Sequence, residues 1–585
     1  MTSNTTILKH KSRIIVLLLC SCLITGCAGG TGNAGNSGDE GINFSDNSSV
    51  HNAQSAANAD NSASSPETNT SDTSESGQDS SSSSNPAEDP AFPFVAIEDS
   101  GIRRECLTLI DDIIECDVMH GFTSAQLTVI RNGKIVYEGT HGYVNSYNPD
   151  GTPKTDSARV TTNTLYDLAS VSKMIGVNYA LQKLVTDGEI DINDKVVSYL
   201  GQHFVDDTIY IDYEEGSHEP LETIKEWKAN LTIADLLSHQ GGFPPSPKYH
   251  NPTINPQTLE YDPEIENPLY SAVSADKAAK QATTQAICKT PLMFESGTKV
   301  LYSDVDYMIL GLIVEAKTGK DLDTYLKETF CEPMGLTHVT YNPLENGFSK
   351  DDCAATELNG NTRDGFIEFD GIRTQTIQGQ VHDEMAYYCM GGMSGHAGLF
   401  ANSVDLAKLG TLMLDGTYGD TRFFSQEVID QFTAPKSDDY KNWGLGWWRQ
   451  GDMQRTNYFG SYASSNTFGH QGWTGTLLMI DPEKDLVIAY LTNKINSPVT
   501  DKDANPNKFN GNWYTSATLG FVPELIYMGM DSDEDIEDEL LEYIDGLVET
   551  SKEAITDDMP EDHPARKNAE AKEFLWELYH NEGFH

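Results

Sequence analysis

Hydrophobic residues are distributed along this chain in three regimes. They crowd into the run from Ile14 to Ile24, nearly vanish from Ala28 to about Pro90, and return with regular spacing from Phe92 and Phe94 onward. In the third regime two short stretches read as hairpins. Gln126-Leu-Thr-Val-Ile-Arg, the dipeptide Asn132-Gly133 and Lys134-Ile-Val-Tyr-Glu predict two strands joined by a type I′ turn. Far downstream, Thr476-Leu-Leu-Met-Ile, a turn at Asp481-Pro-Glu-Lys and Leu486-Val-Ile-Ala-Tyr-Leu predict a second hairpin. Between them the spacing changes to that of helices, with Met174, Val177, Leu181 and Leu184 on one face and Met308, Ile309, Leu312, Ile313 and Ala316 on another. The pattern predicts one large domain over 93–530, with an antiparallel sheet built from both ends of the segment and a mainly helical middle. Residues 531–585 are an acidic tail in which Ile536, Leu540, Tyr543, Ile544, Leu547 and Val548 fit one helical face, so it too is expected to be helical.

The first 27 residues change the picture of where the domain resides. Lys9, Lys11 and Arg13 precede the apolar run, and Ile24-Thr-Gly-Cys27 follows it. This order is similar to a bacterial lipoprotein signal with its lipobox, in which Cys27 would carry the lipid. Residues 28–92, rich in Ser, Asn and Asp, are expected to form a disordered tether with a reach of about 40 Å. The expected address is extracytoplasmic, held to the bacterial membrane through the Cys27 lipid. A formal net charge of −50 argues against nucleic-acid partners, whose phosphates it would repel. Beyond the signal stand Cys106, Cys116, Cys288, Cys331, Cys353 and Cys389, whose spacings match no metal site and leave disulfides and buried thiols equally open.

Three motifs carry candidate chemistry. Ser170-Val-Ser-Lys173 places a hydroxyl and an amine on one helical face near a helix start, as a nucleophile and its general base require. The helix N-terminus there is expected to disfavour a protonated Lys173. Ser-x-x-Lys also occurs at Ser274 to Lys277 and Ser296 to Lys299, but without an amphipathic helix behind the serine matched to the other two motifs. Tyr302-Ser-Asp304 lies in a loop entering a helix. Its phenol is a candidate proton relay if Lys173 favours the phenolate, and Asp304 is a candidate substrate contact and helix N-cap, two roles that do not exclude each other. His470-Gln-Gly472-Trp473-Thr474-Gly475 opens the second hairpin, where glycine lets a substrate approach a strand edge. His470 is a candidate to hold a carboxylate or assist Tyr302. Gly472, Trp473 and Thr474 are candidate substrate contacts, with the Trp473 and Ser170 N–H groups as an oxyanion hole.

Together with Leu236-Leu-Ser-His-Gln-Gly-Gly-Phe243 and Gly395-His-Ala-Gly-Leu-Phe400, these motifs resemble the serine beta-lactamase and penicillin-binding-protein superfamily on its class C side. Tyr249-His-Asn-Pro252, Gly360-Asn-Thr-Arg-Asp-Gly365 and Val381-His-Asp383 are similar to its penicillin-binding protein 4B group. The resemblance implies an α/β beta-lactamase/DD-peptidase-like fold, an antiparallel sheet flanked by helices with an inserted helical subdomain, and an acyl-serine mechanism without metal or organic cofactor. Ser170 would attack a carbonyl, Lys173 take its proton and Tyr302 protonate the leaving group. It implies a D-alanyl-D-alanine carboxypeptidase acting on peptidoglycan peptides. A class C-like esterase or weak beta-lactamase on small ester or amide substrates, and a non-catalytic sensor of peptidoglycan fragments, are the alternatives. Two departures bear on substrate choice: Asp304 stands where much of the superfamily has Asn, and His470 where penicillin-binding enzymes usually have Lys.

Overall fold

The computed structural model describes residues 92–271, 273–274, 277–531 and 536–584. Cys27 and nearly all of the 28–92 tether therefore lie outside the described residues. Asn132 and Gly133 have φ of +50° and +68°, the left-handed pair that a type I′ turn demands, and Arg131 pairs with Lys134 across it. This turn joins β1 (Ser124–Arg131) to β2 (Lys134–Gly142). The downstream segment gives β3 (Trp448–Arg449), β4 (Phe468–Gly472), β5 (Thr476–Asp481) and β6 (Leu486–Thr492). They form a six-stranded antiparallel sheet in the order β2-β1-β6-β5-β4-β3. The register of β1 on β6 runs from Ala125 opposite Thr492 to Arg131 opposite Leu486, so the two ends of the domain close on each other as the sequence predicts. His470 is not at the opening of the second hairpin but on β4, a third strand paired to it.

Both faces of the sheet are covered, which is why β5 and β6 read as apolar runs without alternation. Leu127, Val129, Met479, Ile488 and Tyr490 face α1 (Arg104–Met119) and the C-terminal helices. Leu478, Ile480, Val487, Ala489 and Leu491 face α3 (Ser403–Asp415) and the helical middle of the chain, which includes α2 (Asp304–Thr318). Each of the buried Leu, Ile, Val and Met side chains among these stabilises the fold by about 2 kcal/mol relative to exposure. Polar β1 residues on the second face are matched: Thr128 Oγ1 bonds Ser403 Oγ at 2.8 Å, and Gln126 Oε1 accepts the Ser403 N–H at 2.7 Å.

The acidic C-terminal segment follows α4 (Phe521–Asp531) as α5 (Glu537–Glu553) and α6 (Pro564–Glu582). Leu540, Ile544 and Leu547 of α5 join Ala571, Leu575 and Tyr579 of α6 in the core against α1. Lys572 forms a fully buried ion pair with Asp117 of α1, whose other oxygen accepts the Ser516 N–H at 2.9 Å and hydroxyl at 2.7 Å. This buried pair and the apolar contacts around it make these helices part of the packed body. All six cysteines of the domain are buried free thiols.

Candidate active site

The turn that carries Ser170 is held in an unfavourable conformation from both sides. Tyr166–Asp167 is an edge of a small sheet with Leu399–Ala401 and Val339–Tyr341, and Asp167 ends it. The Asp167 carboxylate accepts the Ala169 N–H at 2.9 Å and the His382 N–H at 2.7 Å. Ala169 has φ of +46°, a left-handed conformation that costs a residue with a β-carbon about 1–2 kcal/mol. From the other side β4 presses on the turn. A β-carbon on Gly472 would lie 2.3 Å from the Leu168 carbonyl oxygen, so only glycine allows the approach. Thr474 Oγ1 donates to Asp167 O at 2.8 Å, and Thr476 Oγ1 to Leu168 O at 2.9 Å. The Thr474 hydroxyl is therefore buried and committed to the backbone before the serine.

Ser170 sits in a 3-10 turn (Ala169–Val171), followed by a π-helical stretch (Lys173–Asn178) that becomes α-helical at Tyr179–Thr186. The three-residue spacing brings Lys173 Nζ to 3.1 Å from Ser170 Oγ. The same nitrogen donates to Asp304 Oδ1 at 2.8 Å and to His396 O at 3.1 Å. Asp304 is the first residue of α2. The cap is Ser303, whose Oγ accepts the Val305 N–H at 3.2 Å, and the Asp304 carboxylate is thereby freed for Lys173.

This pairing reverses the charge expected for Lys173. Burial pulls its pKa down, but the Asp304 carboxylate and Tyr302 outweigh burial and hold it above the ordinary lysine value, as an ammonium. The helix terminus is overridden by a full charge at 2.8 Å. Burial raises the Tyr302 pKa more than its contacts with Lys173 and Ser170 lower it, so the resting group is a phenol and not a phenolate. The Lys173 nitrogen lies 4.9 Å from the Tyr302 ring centroid. His239 packs on the opposite part of this wall, its ring centroid 4.3 Å from that of Tyr302. Its Nδ1 accepts the Ser303 N–H at 3.2 Å and lies 3.2 Å from Asp306 Oδ2, which fixes the loop that presents Tyr302. Sequence reasoning gave His239 no role, although it stands in the quoted Leu236–Phe243 motif.

His470 is buried, with Nδ1 2.7 Å from Gln471 O and its ring centroid 6.3 Å from that of Tyr302. Burial, aided by Lys173, lowers its pKa to about 3, and the imidazole is neutral. It cannot hold a carboxylate through charge. Its Nε2 has no partner among the described residues. Gly472 closes β4, and Trp473, 37% exposed, follows it with its ring stacked on His382 at 4.9 Å. Arg363 lies 5.1 Å from the Trp473 ring and is paired with Glu357 and, at 3.2 Å, with Glu384. Neither the Ser170 nor the Trp473 amide has a recorded acceptor among the described residues. In the third Ser-x-x-Lys copy Lys299 lies over the Phe294 ring at 4.3 Å.

Two further groups meet at this centre without having been assigned from sequence. His396 Nε2 lies 2.8 Å from Asp383 Oδ1, and His396 Nδ1 lies 2.7 Å from Ser394 Oγ. The carboxyl oxygens of Asp304 and Asp383 and a His396 nitrogen fall within 4.8 Å of one another. In this set Asp304 Oδ1 is paired with Lys173 and Asp383 Oδ1 with His396 Nε2. The signal in the sequence was a histidine and an aspartate in otherwise glycine-rich or apolar segments, at Gly395-His-Ala-Gly and Val381-His-Asp.

A family profile described as Beta-lactamase matches residues 110–512 of the chain. Among curated proteins, one from Escherichia coli (strain K12), described as "Putative D-alanyl-D-alanine carboxypeptidase", is 42% identical over 446 residues, covering 76% of this chain and 95% of that protein. A protein of the same description from Salmonella schwarzengrund is 42% identical over 442 residues, covering 75% and 94%. Among solved structures, Simvastatin Synthase (LovD) from Aspergillus terreus aligns with a TM-score of 0.52 at 16% identity, covering 74% of this chain and all of that one. EstCE1, a hydrolase with promiscuous acyltransferase activity, aligns at 0.50 and 15% identity, covering 73% of this chain and 99% of that one. The two structures share the fold with this chain.

Proposed function

The chain belongs to the Beta-lactamase family of serine hydrolases, and on that premise we propose that it is a D-alanyl-D-alanine carboxypeptidase acting on peptidoglycan peptides through an acyl-serine intermediate. The observation that carries the reading is the junction of Ser170 Oγ, Lys173 Nζ and Asp304 Oδ1 at 3.1 and 2.8 Å beside a protonated Tyr302. Lys173 rests as an ammonium, so it must yield a proton before it can serve as a base. Asp304 Oδ1 is placed to take it, leaving an amine against the Ser170 hydroxyl. The serine oxygen then attacks the penultimate D-alanyl carbonyl while Lys173 accepts its proton. The oxyanion is held by the Ser170 and Trp473 amides. Tyr302 donates its phenolic proton to the departing D-alanine nitrogen and is reprotonated by Lys173. Water attacks the ester carbonyl in the second half, releasing the shortened peptide and returning a proton to Ser170.

The test is release of D-alanine from Nα,Nε-diacetyl-L-lysyl-D-alanyl-D-alanine. Wild type releases it and Ser170→Ala does not; release by the variant would remove Ser170 from the mechanism. The neutral His470 and the pairing of Lys173 with Asp304 favour one second reading, an esterase for substrates without a terminal carboxylate. Faster turnover of a D-alanyl ester than of the peptide would select it. We further propose that Cys27 anchors the enzyme to the extracytoplasmic face of the membrane. Fatty-acid labelling lost in Cys27→Ala is the expected result, and an unlabelled wild type contradicts it.

A further inference from the structure

Tyr302, the acid of the acylation scheme, is held in place by a residue that the scheme does not use. The loop from Leu301 to Asp304 lies along the segment 239–245. The Leu301 N–H donates to His239 O at 2.8 Å, the Ser303 N–H to His239 Nδ1 at 3.2 Å, Ser303 Oγ to Pro244 O at 2.8 Å and the Asp304 N–H to Pro245 O at 3.0 Å. Tyr302 is therefore bracketed in sequence by bonds to His239, on one side to its backbone and on the other to its ring, and the same ring packs against the phenol at 4.3 Å. His239 is fully buried and has φ of +53°, a left-handed conformation that among residues with a β-carbon suits asparagine best.

The His239 ring is itself locked. Its Nδ1 accepts the Ser303 N–H, so a neutral imidazole carries its proton on Nε2 and Nδ1 has none to give. The contact with Asp306 Oδ2 at 3.2 Å is then a hydrogen bond only if Asp306 supplies the hydrogen. Burial, with Asp235 and Asp304 nearby, pushes the Asp306 carboxyl well above its ordinary range, and burial together with Lys173 keeps His239 uncharged. A β-carbon on Gly241 would collide with Asp306 Oδ1, so glycine at this position lets the acid reach the ring. Resting on the acyl-serine reading above, we propose that His239 is a positioning residue for the general acid: locked by Asp306, it sets where the Tyr302 hydroxyl meets the leaving atom, and its loss falls selectively on leaving groups that need a proton.

Two esters of one acyl group test this in the full chain, the methyl and 4-nitrophenyl esters of Nα,Nε-diacetyl-L-lysyl-D-alanine. Both give the same acyl-serine, but methoxide must be protonated as it departs and 4-nitrophenolate leaves as a stable anion. His239→Ala should lower kcat/KM for the methyl ester by about 10²-fold and for the nitrophenyl ester by about threefold or less. His239→Asn, which keeps an acceptor near the Nδ1 position and tolerates positive φ, should shift the ratio of the two rates in the same direction by less. Asp306→Asn, whose amide donates where the acid does, should keep the wild-type ratio. In a Tyr302→Phe background the His239 substitutions should change the ratio no further, because the group they act through is gone. Should the alanine variant fail to fold, His239→Asn in the two backgrounds decides. Equal losses on both esters in a folded variant, a ratio lost in Asp306→Asn, or a further shift in the Tyr302→Phe background overturns the inference alone. Failure of wild type to turn over either ester, together with failure of Ser170 to form an adduct with penicillin, removes the acyl-serine reading and this inference with it.

Discussion

Two lysines of this protein are fully buried in the same helical half, and they carry opposite electrostatic histories. Lys173 faces a carboxylate, Asp304, and its pKa is raised. Lys228 has no ion pair among the described residues, donating instead to Cys288 O at 2.7 Å and Thr290 O at 2.9 Å at the C-terminal end of the helix Lys277–Lys289, with the Phe204 ring 4.4 Å away. Burial there drives the pKa down to about 7. The contrast shows that burial alone does not set the state of a catalytic lysine. A formal charge in contact outweighs the desolvation that four carbonyl and hydroxyl acceptors do not. It also separates their uses: Lys228 caps a helix end, and Lys173 holds a proton that must be moved before the serine can react.

The largest effect comes from replacing each lysine by methionine. Lys173→Met should lose about 10³-fold in kcat/KM, and Lys228→Met should keep turnover within a few-fold of wild type. Steady-state kinetics on both variants decide it, and an equal loss in the two would erase the distinction. Next comes Asp304→Asn. Removing the carboxylate lowers the Lys173 pKa, so the limb of the pH–rate profile that requires the neutral amine should move to lower pH by about one unit or more. An unmoved limb, or one displaced upward, would show that Asp304 does not govern the base.

The third prediction concerns stability. Below about pH 7 both the folded and unfolded states protonate Lys228. Between about 7 and the ordinary lysine value only the unfolded state does, so this group makes stability rise with pH across that window. The Tm of wild type relative to Lys228→Met should therefore increase between pH 6 and pH 9. The smallest effect belongs to a histidine at the opposite end of the molecule. Burial lowers the pKa of His141, but Asp111 at 3.0 Å and Glu115 at 2.9 Å outweigh it and raise it to about 9. Its stabilising contribution is complete below about pH 6.5 and is lost as pH rises through about 9, so His141→Gln should lower Tm below pH 6.5 and leave it unchanged above pH 9. Its carboxylate partners are partly exposed, which keeps the change to a degree or two.

What the sequence could and could not show follows the same division between local and long-range determinants. The Asn132-Gly133 turn is local chemistry, and so is the one-face spacing of Ser170 and Lys173; both are as the pattern predicts. The closure of the sheet by β1 on β6 follows from two hairpins that each need a partner. The π-helical stretch after Ser170 escaped detection because its apolar spacing is that of an α-helix. The charge of Lys173 depends on a carboxylate 131 residues away, which no local rule reports. Thr474 looked available because it follows Gly472, but the strained turn at Ala169 takes its hydroxyl. Asp383 and His396 are brought together by Asp167 and Ser394, contacts that exist only once the small sheet and its loops have closed.

The most direct test of the account is the intact mass of the protein after incubation with benzylpenicillin, beside Ser170→Ala, with the adduct located by peptide mapping. The account predicts one acyl adduct on wild type, carried by the peptide containing Ser170, and none on the variant. An adduct of equal occupancy on Ser170→Ala, or one located on another residue, would contradict it.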